Sequence, residues 1–600
     1  MNLFFYKRGS CKTSVLQEQP LKTACLAARR ARNCIAAEKL TEFCNRLKSG
    51  KNHAVIFFIV ASAVLTAFSC KDETEIYLTY DWVNVVSPPG VNYNIKISSN
   101  TATVNFENLE NKDIYLVKVN ISNLTAEDKN TGGIQSSVLE PPQYGRMSLS
   151  SRNIPYPPDS EFPVMGHPAA TLFHANPPII SPAARMSGIH NAAIVIPPLD
   201  SQKPFWVETF MNSKAFVTKS ATYLAEGNYS RVWVMEDAYG GASKTFADRN
   251  EARTYAQKIA GKFDLIYPAM TGLLGYEYGG SPGHPMPGGM DGDPKIQILV
   301  YNIRDNENKS SGVLGYYWSK DNYTDEQLSH GLKSNKAEIF YIDADYLKSR
   351  PELIYSTLIH EFQHMIHYNV KTIVRGQSSP SWYNEMLSMM AEDVFASLVG
   401  IAPSNPDHVI QGRMPYFNYY YYQEGITQWS GSSSVSYSTK YAFGAYLLRN
   451  YGGAELFRRI LENNSVGIHS ITSALSGSLT FYDVLFRYGE AMIYYDPSLN
   501  NINSFAKSIG NSIAGFNIWG KEIPEKYLNE LGVYATVGTT GPRYYPLNTR
   551  VKMPPHSVVV HSDNSWKNVS SNEAGPPFEI ILDKPAHTNV VLFIMVRNRP

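Results

Sequence analysis

Apolar positions along this chain change period twice. Between residues 93 and 121 they alternate, in Tyr93-Asn94-Ile95-Lys96-Ile97, Thr101-Ala102-Thr103-Val104-Asn105-Phe106 and the run from Ile114 to Ile121. Period two predicts strands with one buried face. We expect a small antiparallel, sandwich-like β module over 71–140, entered through the charged tether Lys71-Asp72-Glu73-Thr74-Glu75. Alternation returns at Val558-Val559-Val560, Phe578-Glu579-Ile580-Ile581-Leu582 and 590–596, which predicts a second β module over 541–600. Prolines crowd the stretch 141–204, several of them paired, as at Pro157-Pro158, Pro177-Pro178 and Pro197-Pro198. That density favours extended polyproline segments, so the stretch reads as a linker or as an arm laid along the next domain.

Over 205–540 the two periods mix. Strands are expected at 215–218, 231–235, 296–301 and 338–343. Ala252, Tyr255, Ala256, Ile259, Ala260 and Phe263 mark a helix that starts near Asp248. A second helix is expected over about 352–368, where Leu358, Ile359, Phe362, Met365 and Ile366 form the buried face. A strand followed by this helix leaves a sheet edge to which an extended peptide could add through its main chain.

Chemistry enters on that second helix. His360 and His364 stand four residues apart, so both imidazoles project from one face and can converge on one cation. Glu361 is one step round, close enough to a bound water without being a ligand, which is the H-E-x-x-H arrangement. The cofactor expected is Zn2+, which takes three protein ligands and keeps one open position in catalytic sites. His367 lies too far along the axis to be the third, about 10 Å from His360. A ligand must therefore return from another helix. The stretch 382–393, introduced by Pro380 and Ser381, offers Glu385 as that ligand, with Glu392 on the same face to orient a histidine. Asp291-Gly292-Asp293 could hold calcium, but EF-hand spacing is absent and an acidic turn is the preferred reading.

Net charge is +1, which gives no pull towards nucleic acid. All five cysteines lie at or before Cys70. Before Cys70 comes an apolar run, 54–68, preceded by Lys48, Lys51 and His53. A basic start, a short apolar stretch and small residues before the cysteine predict a secretory signal over 51–70. It resembles the lipobox of bacterial lipoproteins, which implies that Cys70 is acylated and anchors the chain in the cell envelope. Residues 1–50 then precede a signal peptide, and we expect them to be an extension upstream of the true start near Leu47. The sequence sets no oligomeric state.

His-Glu-Phe-Gln-His-Met-Ile at 360–366, followed by Trp-x-Asn-Glu-Met-Leu-Ser-Met-Met-Ala-Glu-Asp at 382–393, resembles the hyicolysin family of bacterial metallopeptidases. The resemblance spans roughly 205–453 and is tightest over 337–393. It implies a secreted or surface-exposed endopeptidase acting on polypeptides. In the wider glutamate-zincin group the Asn-Glu pair supplies the third zinc ligand, here Glu385. Where thermolysin-like enzymes carry Asp four residues after that glutamate, this chain has Met389. The segment 440–448 resembles the Tyr-x-x-Gly-Ala helix of aminopeptidase-type zincins, which implies Tyr441 as the oxyanion donor and Tyr437 as its substitute.

The expected architecture is multidomain: an α+β zincin-like catalytic domain (sheet, zinc helix and helical second lobe) between small β modules. The expected activity is lipid-anchored zinc endopeptidase, with Glu361 as general base. The rival is a catalytically silent surface lipoprotein that binds polypeptides around a structural zinc site.

Overall fold

The computed structural model describes residues 82–598 apart from 89, 110–111, 138–163, 166–167, 179–195, 210–212, 214, 304–311, 432–434, 476, 495–502, 521–540, 543, 546–549 and 563–577. Cys70, the signal segment and the extension before it lie outside the described residues.

In chain order the strands are β1 (Val83–Val86), β2 (Asn92–Ile97), β3 (Thr101–Glu107), β4 (Lys112–Asn120) and β5 (Gly133–Ser137). Next come β6 (Val164–Met165), helix α1 (Pro168–Ala175), β7 (Gln202–Glu208), β8 (Phe216–Glu226), β9 (Ser230–Met235) and α2 (Arg249–Leu274). Strands β10 (Ile296–Tyr301), β11 (Val313–Tyr317) and β12 (Ile339–Asp343) lead to α3 (Ala344–Ser349) and α4 (Pro351–His367). A helical lobe follows, with α5 (Ser381–Phe395), α6 (Val409–Tyr420), α7 (Ser436–Tyr451), α8 (Gly453–Glu462), α9 (Gly467–Ala474) and α10 (Phe481–Ile493). The chain then adds β13 (Val558–His561), β14 (Phe578–Asp583) and β15 (Val590–Asn598).

The two terminal β segments pair with each other. One sheet has the order β1-β15-β4-β13 and the other β2-β3-β14-β5. Strand β15 runs antiparallel to β4 along its whole length, from Val590 opposite Asn120 to Asn598 opposite Lys112. The stretches expected as separate modules at 71–140 and 541–600 thus supply strands to the same two sheets. Local alternation reports which faces are buried; it carries no information about a partner some 470 residues away, because ladder hydrogen bonds use main-chain groups common to every residue. The paired sheets rest on α10. Tyr494 donates to the Val596 carbonyl at 2.7 Å, and Arg597, held by Asp113 at 3.0 Å, donates to the Ile493 carbonyl at 2.7 Å. Tyr421 and Tyr422 also pack towards these strands: Val560 N–H donates to the Tyr421 hydroxyl, and Tyr422 meets Tyr545 edge to face.

The third sheet has seven strands in the order β6-β11-β12-β10-β9-β8-β7. Strands β9, β10 and β12 are parallel, and β11 turns antiparallel to β12. One face packs on α2 and α4 through Phe263, Phe340 and Phe362, with ring centroids 5.0–5.7 Å apart. Helix α2 begins where Asp248 accepts from the Asn250 and Glu251 N–H groups, as its sequence predicts. Strand β12 lies inside the sheet, so the edge beside the metal helix belongs to β11, with β6 added beyond it. Asp293 is ion-paired with Arg231, and Asp291 accepts from the Asp293 N–H at 2.9 Å. That turn is tied down by protein groups.

Candidate metal centre

Helix α4 starts on Pro351, whose missing N–H costs nothing at the first turn, with Glu352 complementing the dipole. Its residues from Leu353 to His367 are all buried. Helix α5 is buried on every side from Trp382 to Phe395, as expected of a helix through the middle of a lobe. Helix α7 crosses it closely at Gly444. A Cβ there would meet Met390 Cγ at 2.7 Å, so the Gly-Ala step reflects a tight crossing that holds α5 in place.

Facing side chains of α4 and α5 build the centre. His360 Nε2 lies 3.1 Å from His364 Nε2 and 3.2 Å from Glu385 Oε2; the His364–Glu385 side measures 3.6 Å. Ligand atoms about 2.0–2.1 Å from a tetrahedral zinc stand roughly 3.3–3.4 Å apart. The triangle therefore has the size of one face of a zinc tetrahedron. Among the described residues, these are the three His, Cys, Asp or Glu side chains whose ligand atoms come together within 4.8 Å. The donor set fits zinc in number, type and spacing.

Both imidazoles are braced from behind. Glu392 Oε1 lies 2.8 Å from His360 Nδ1, while its other oxygen accepts from Ser356. This leaves Nε2 of His360 for the centre. His364 Nδ1 lies 3.0 Å from Ser388 Oγ and 3.2 Å from Asn384 Oδ1. His367, set aside on distance, turns away to Ser379 at 2.7 Å.

Burial is nearly complete at Glu385, His360 and Glu361 alike. Their titration differs because their neighbours differ. Burial raises Glu385, but the charge of His364 and hydrogen bonds from both imidazoles bring it down to about 2. Burial lowers His360, but Glu385 and Glu392 outweigh it and hold it at about 10. Burial pushes Glu361 up against the pull of both histidines. One Glu361 oxygen accepts from the Tyr317 N–H at 2.7 Å, and the other is buried with no hydrogen-bond partner. A buried carboxylate oxygen without a donor costs free energy. It marks a place where something outside the protein is expected to bind.

The structure puts the two candidate tyrosines in different company. Tyr441 donates to Asp393 Oδ2 at 3.0 Å, where Asp393 also pairs with buried Arg449. Tyr437, one turn earlier on α7, lies under the Arg413 guanidinium at 4.9 Å. Burial raises its pKa far above the usual value, and the charges of Glu385, Glu361 and Glu392 act on it too.

Sequence reasoning missed α1. Thr171 Oγ1 reaches Glu385 Oε1 at 3.5 Å, and the buried ring of His174 lies 6.0 Å from that of His364. No periodic signal in that proline-dense stretch points to a metal site.

The centre is a buried His-His-Glu cluster of the size that holds one zinc ion, and the chain is similar to known metallopeptidases. The family model described as Peptidase M30 matches residues 213–502, which contain His360, Glu361, His364, Glu385 and Glu392. The chain is also 26% identical over 283 residues to the neutral metalloprotease ShpI of Staphylococcus hyicus. That alignment covers 45% of this chain and 59% of the relative, so the chain spans less than two thirds of its length. Both findings are likenesses to metallopeptidases over part of this chain.

Proposed function

We propose that this protein is a zinc endopeptidase that hydrolyses polypeptides, held in a bacterial cell envelope by lipid on Cys70. The observation that carries the reading is the zinc-sized triangle of His360, His364 and Glu385 beside a Glu361 oxygen that has no protein partner. When bound there, zinc would polarise the scissile carbonyl and bring the pKa of its water from 15.7 towards about 7.

The residues divide the remaining work. Glu361 takes the proton of the attacking water on its unpartnered oxygen and passes it to the leaving amine. The Tyr317 N–H fixes the other oxygen, so the carboxylate has one orientation. Glu392 fixes the His360 tautomer. Tyr437 keeps its proton at neutral pH and serves as donor to the developing oxyanion in place of Tyr441, whose hydroxyl is given to Asp393. Tyr437→Phe should then lower kcat roughly 10²–10³-fold. Tyr441→Phe should act on thermal stability instead; the reverse pattern returns the role to Tyr441.

The lipid anchor is supported by the basic, then apolar, then small-residue approach to Cys70. Among the described residues no helix is long and apolar enough to cross a membrane. Digestion of casein and a peptide library by the purified protein, with and without a zinc chelator, tests the activity. Chelator-sensitive internal cleavage is expected. A zinc-loaded protein that cleaves nothing would favour the polypeptide-binding rival. Replacing Cys70 with Ala should release the protein from membranes and abolish palmitate labelling.

A further inference from the structure

Strand β11 runs past the catalytic cluster: its last residue, Tyr317, holds Glu361. Without β6, its outer edge would be free to take an extended chain through main-chain hydrogen bonds. In this structure β6 takes it. Val164 pairs with Val313 and Met165 with Gly315, in parallel. Helix α1 lies over the centre. Thr171 reaches Glu385, and His174 accepts from the Ser319 N–H at 3.1 Å among the rings of Tyr317, Tyr368 and His364. Phe173 meets Tyr323 edge to face at 5.8 Å, and Ala170 is buried in the core under the sheet. With the arm in place His360 and Glu361 are 0% exposed, Glu385 1% and His364 3%. A cluster that must meet a polypeptide is sealed. The arm also precedes the segment matched by the peptidase family model.

We propose that the β11 edge and the His-His-Glu cluster beside it form the groove for an extended polypeptide, and that strand β6 and helix α1 fill this groove as a tethered competitor. The inference rests on the metallopeptidase reading above. A segment of the same chain competes intramolecularly, at an effective concentration that reaches the order of millimolar, so a free polypeptide binds only when the arm is displaced or its hold is weakened. The occupant runs parallel to β11, whichever way a substrate runs.

The test uses the full chain, zinc-loaded, with two variants that weaken the arm by different means. Phe173→Ala removes its ring contact, and Ala170→Glu places a charge where Ala170 is buried. Hydrogen exchange over 168–175 reports whether the arm has loosened, and near-ultraviolet circular dichroism whether the rest is folded. The rate at which a chelator strips zinc reports access to the centre. We expect stripping to rise roughly tenfold or more, as the open population grows, and peptide cleavage to rise with it. A synthetic peptide of residues 164–178 should slow both again. Faster exchange over 168–175 with unchanged stripping in either folded variant would overturn the proposal. Faster stripping with no peptide cleaved would leave the arm standing and remove the peptidase reading instead.

Discussion

Glu385 and a separate group of buried carboxylates in this protein titrate in opposite directions. At the metal centre Glu385 is surrounded by imidazoles and is held down at about 2. At the glycine-rich turn between α2 and β10 sit Glu277, Asp291 and Glu338. Glu277 accepts from the Tyr267 hydroxyl at 2.8 Å, and Glu338 from the Met290 N–H at 3.0 Å and the Asn322 amide at 3.2 Å. Here burial dominates. It raises Glu277 to about 7, and raises Asp291 and Glu338 as well, with the charge of Asp293 pushing Asp291 further and the charges of Asp291 and Glu277 pushing Glu338. Gly280 and Gly289 let the loop close over these acids: a Cβ would stand 2.1 Å from Glu277 Oε1 at one and 2.2 Å from the Glu338 carboxylate at the other. Burial is common to both groups, so burial alone does not decide the charge. The neighbours do. Imidazoles make one group a ready cation site, while neutral donors let the other keep its protons.

The sharpest way to break this contrast is to remove the carboxylate that the imidazoles stabilise. Glu385→Ala leaves two nitrogens, short of the three protein ligands zinc requires. Zinc content by atomic absorption should fall to background, and activity with it. Stoichiometric zinc in this variant would mean that the ligand is another residue.

Glu361→Gln should keep its zinc and its fold yet lose about 10²–10⁴ in kcat, since the amide is nearly isosteric but takes no proton. Full activity would remove Glu361 from the mechanism. A smaller effect is expected from Glu392→Ala, which frees the His360 Nδ1 side without touching the triangle. Affinity or activity should drop about 10–100-fold with the site still able to fill. An empty site here and a full one in Glu385→Ala would exchange the two roles.

The smallest effect tests the other acid group. A carboxyl whose folded pKa is raised contributes stability that is complete below its unfolded value, near 4.5, and lost as pH rises through about 7. Glu277→Gln has no such loss. Measured by urea denaturation, the variant should gain on wild type by about 3 kcal/mol between pH 4.5 and pH 8. Equal pH dependence in the two proteins would show that Glu277 is ionised and compensated in the fold, and the contrast between the two groups would disappear.

Much of the centre was legible along the chain, because it is built from local periodicities. Two histidines at i and i+4 share a helix face whatever surrounds them. Glu385 and Glu392, seven apart, share another; helix α4 appears where apolar spacing placed it, and α5 where Pro380 and Ser381 marked its start. Which atoms meet was decided only by the crossing of those helices, set in part by the absence of a side chain at Gly444. The crossing of α7 over α5 gives Tyr441 to Asp393 and brings Tyr437 under the charges of the centre, although both stand on one face of α7. Pairing across long separations left no trace in the pattern at all. Strand β4 finds β15, and β6 finds β11, through main-chain groups that every residue carries. Periodicity tells a segment which face to bury; only the folded chain supplies the surface against which it is buried.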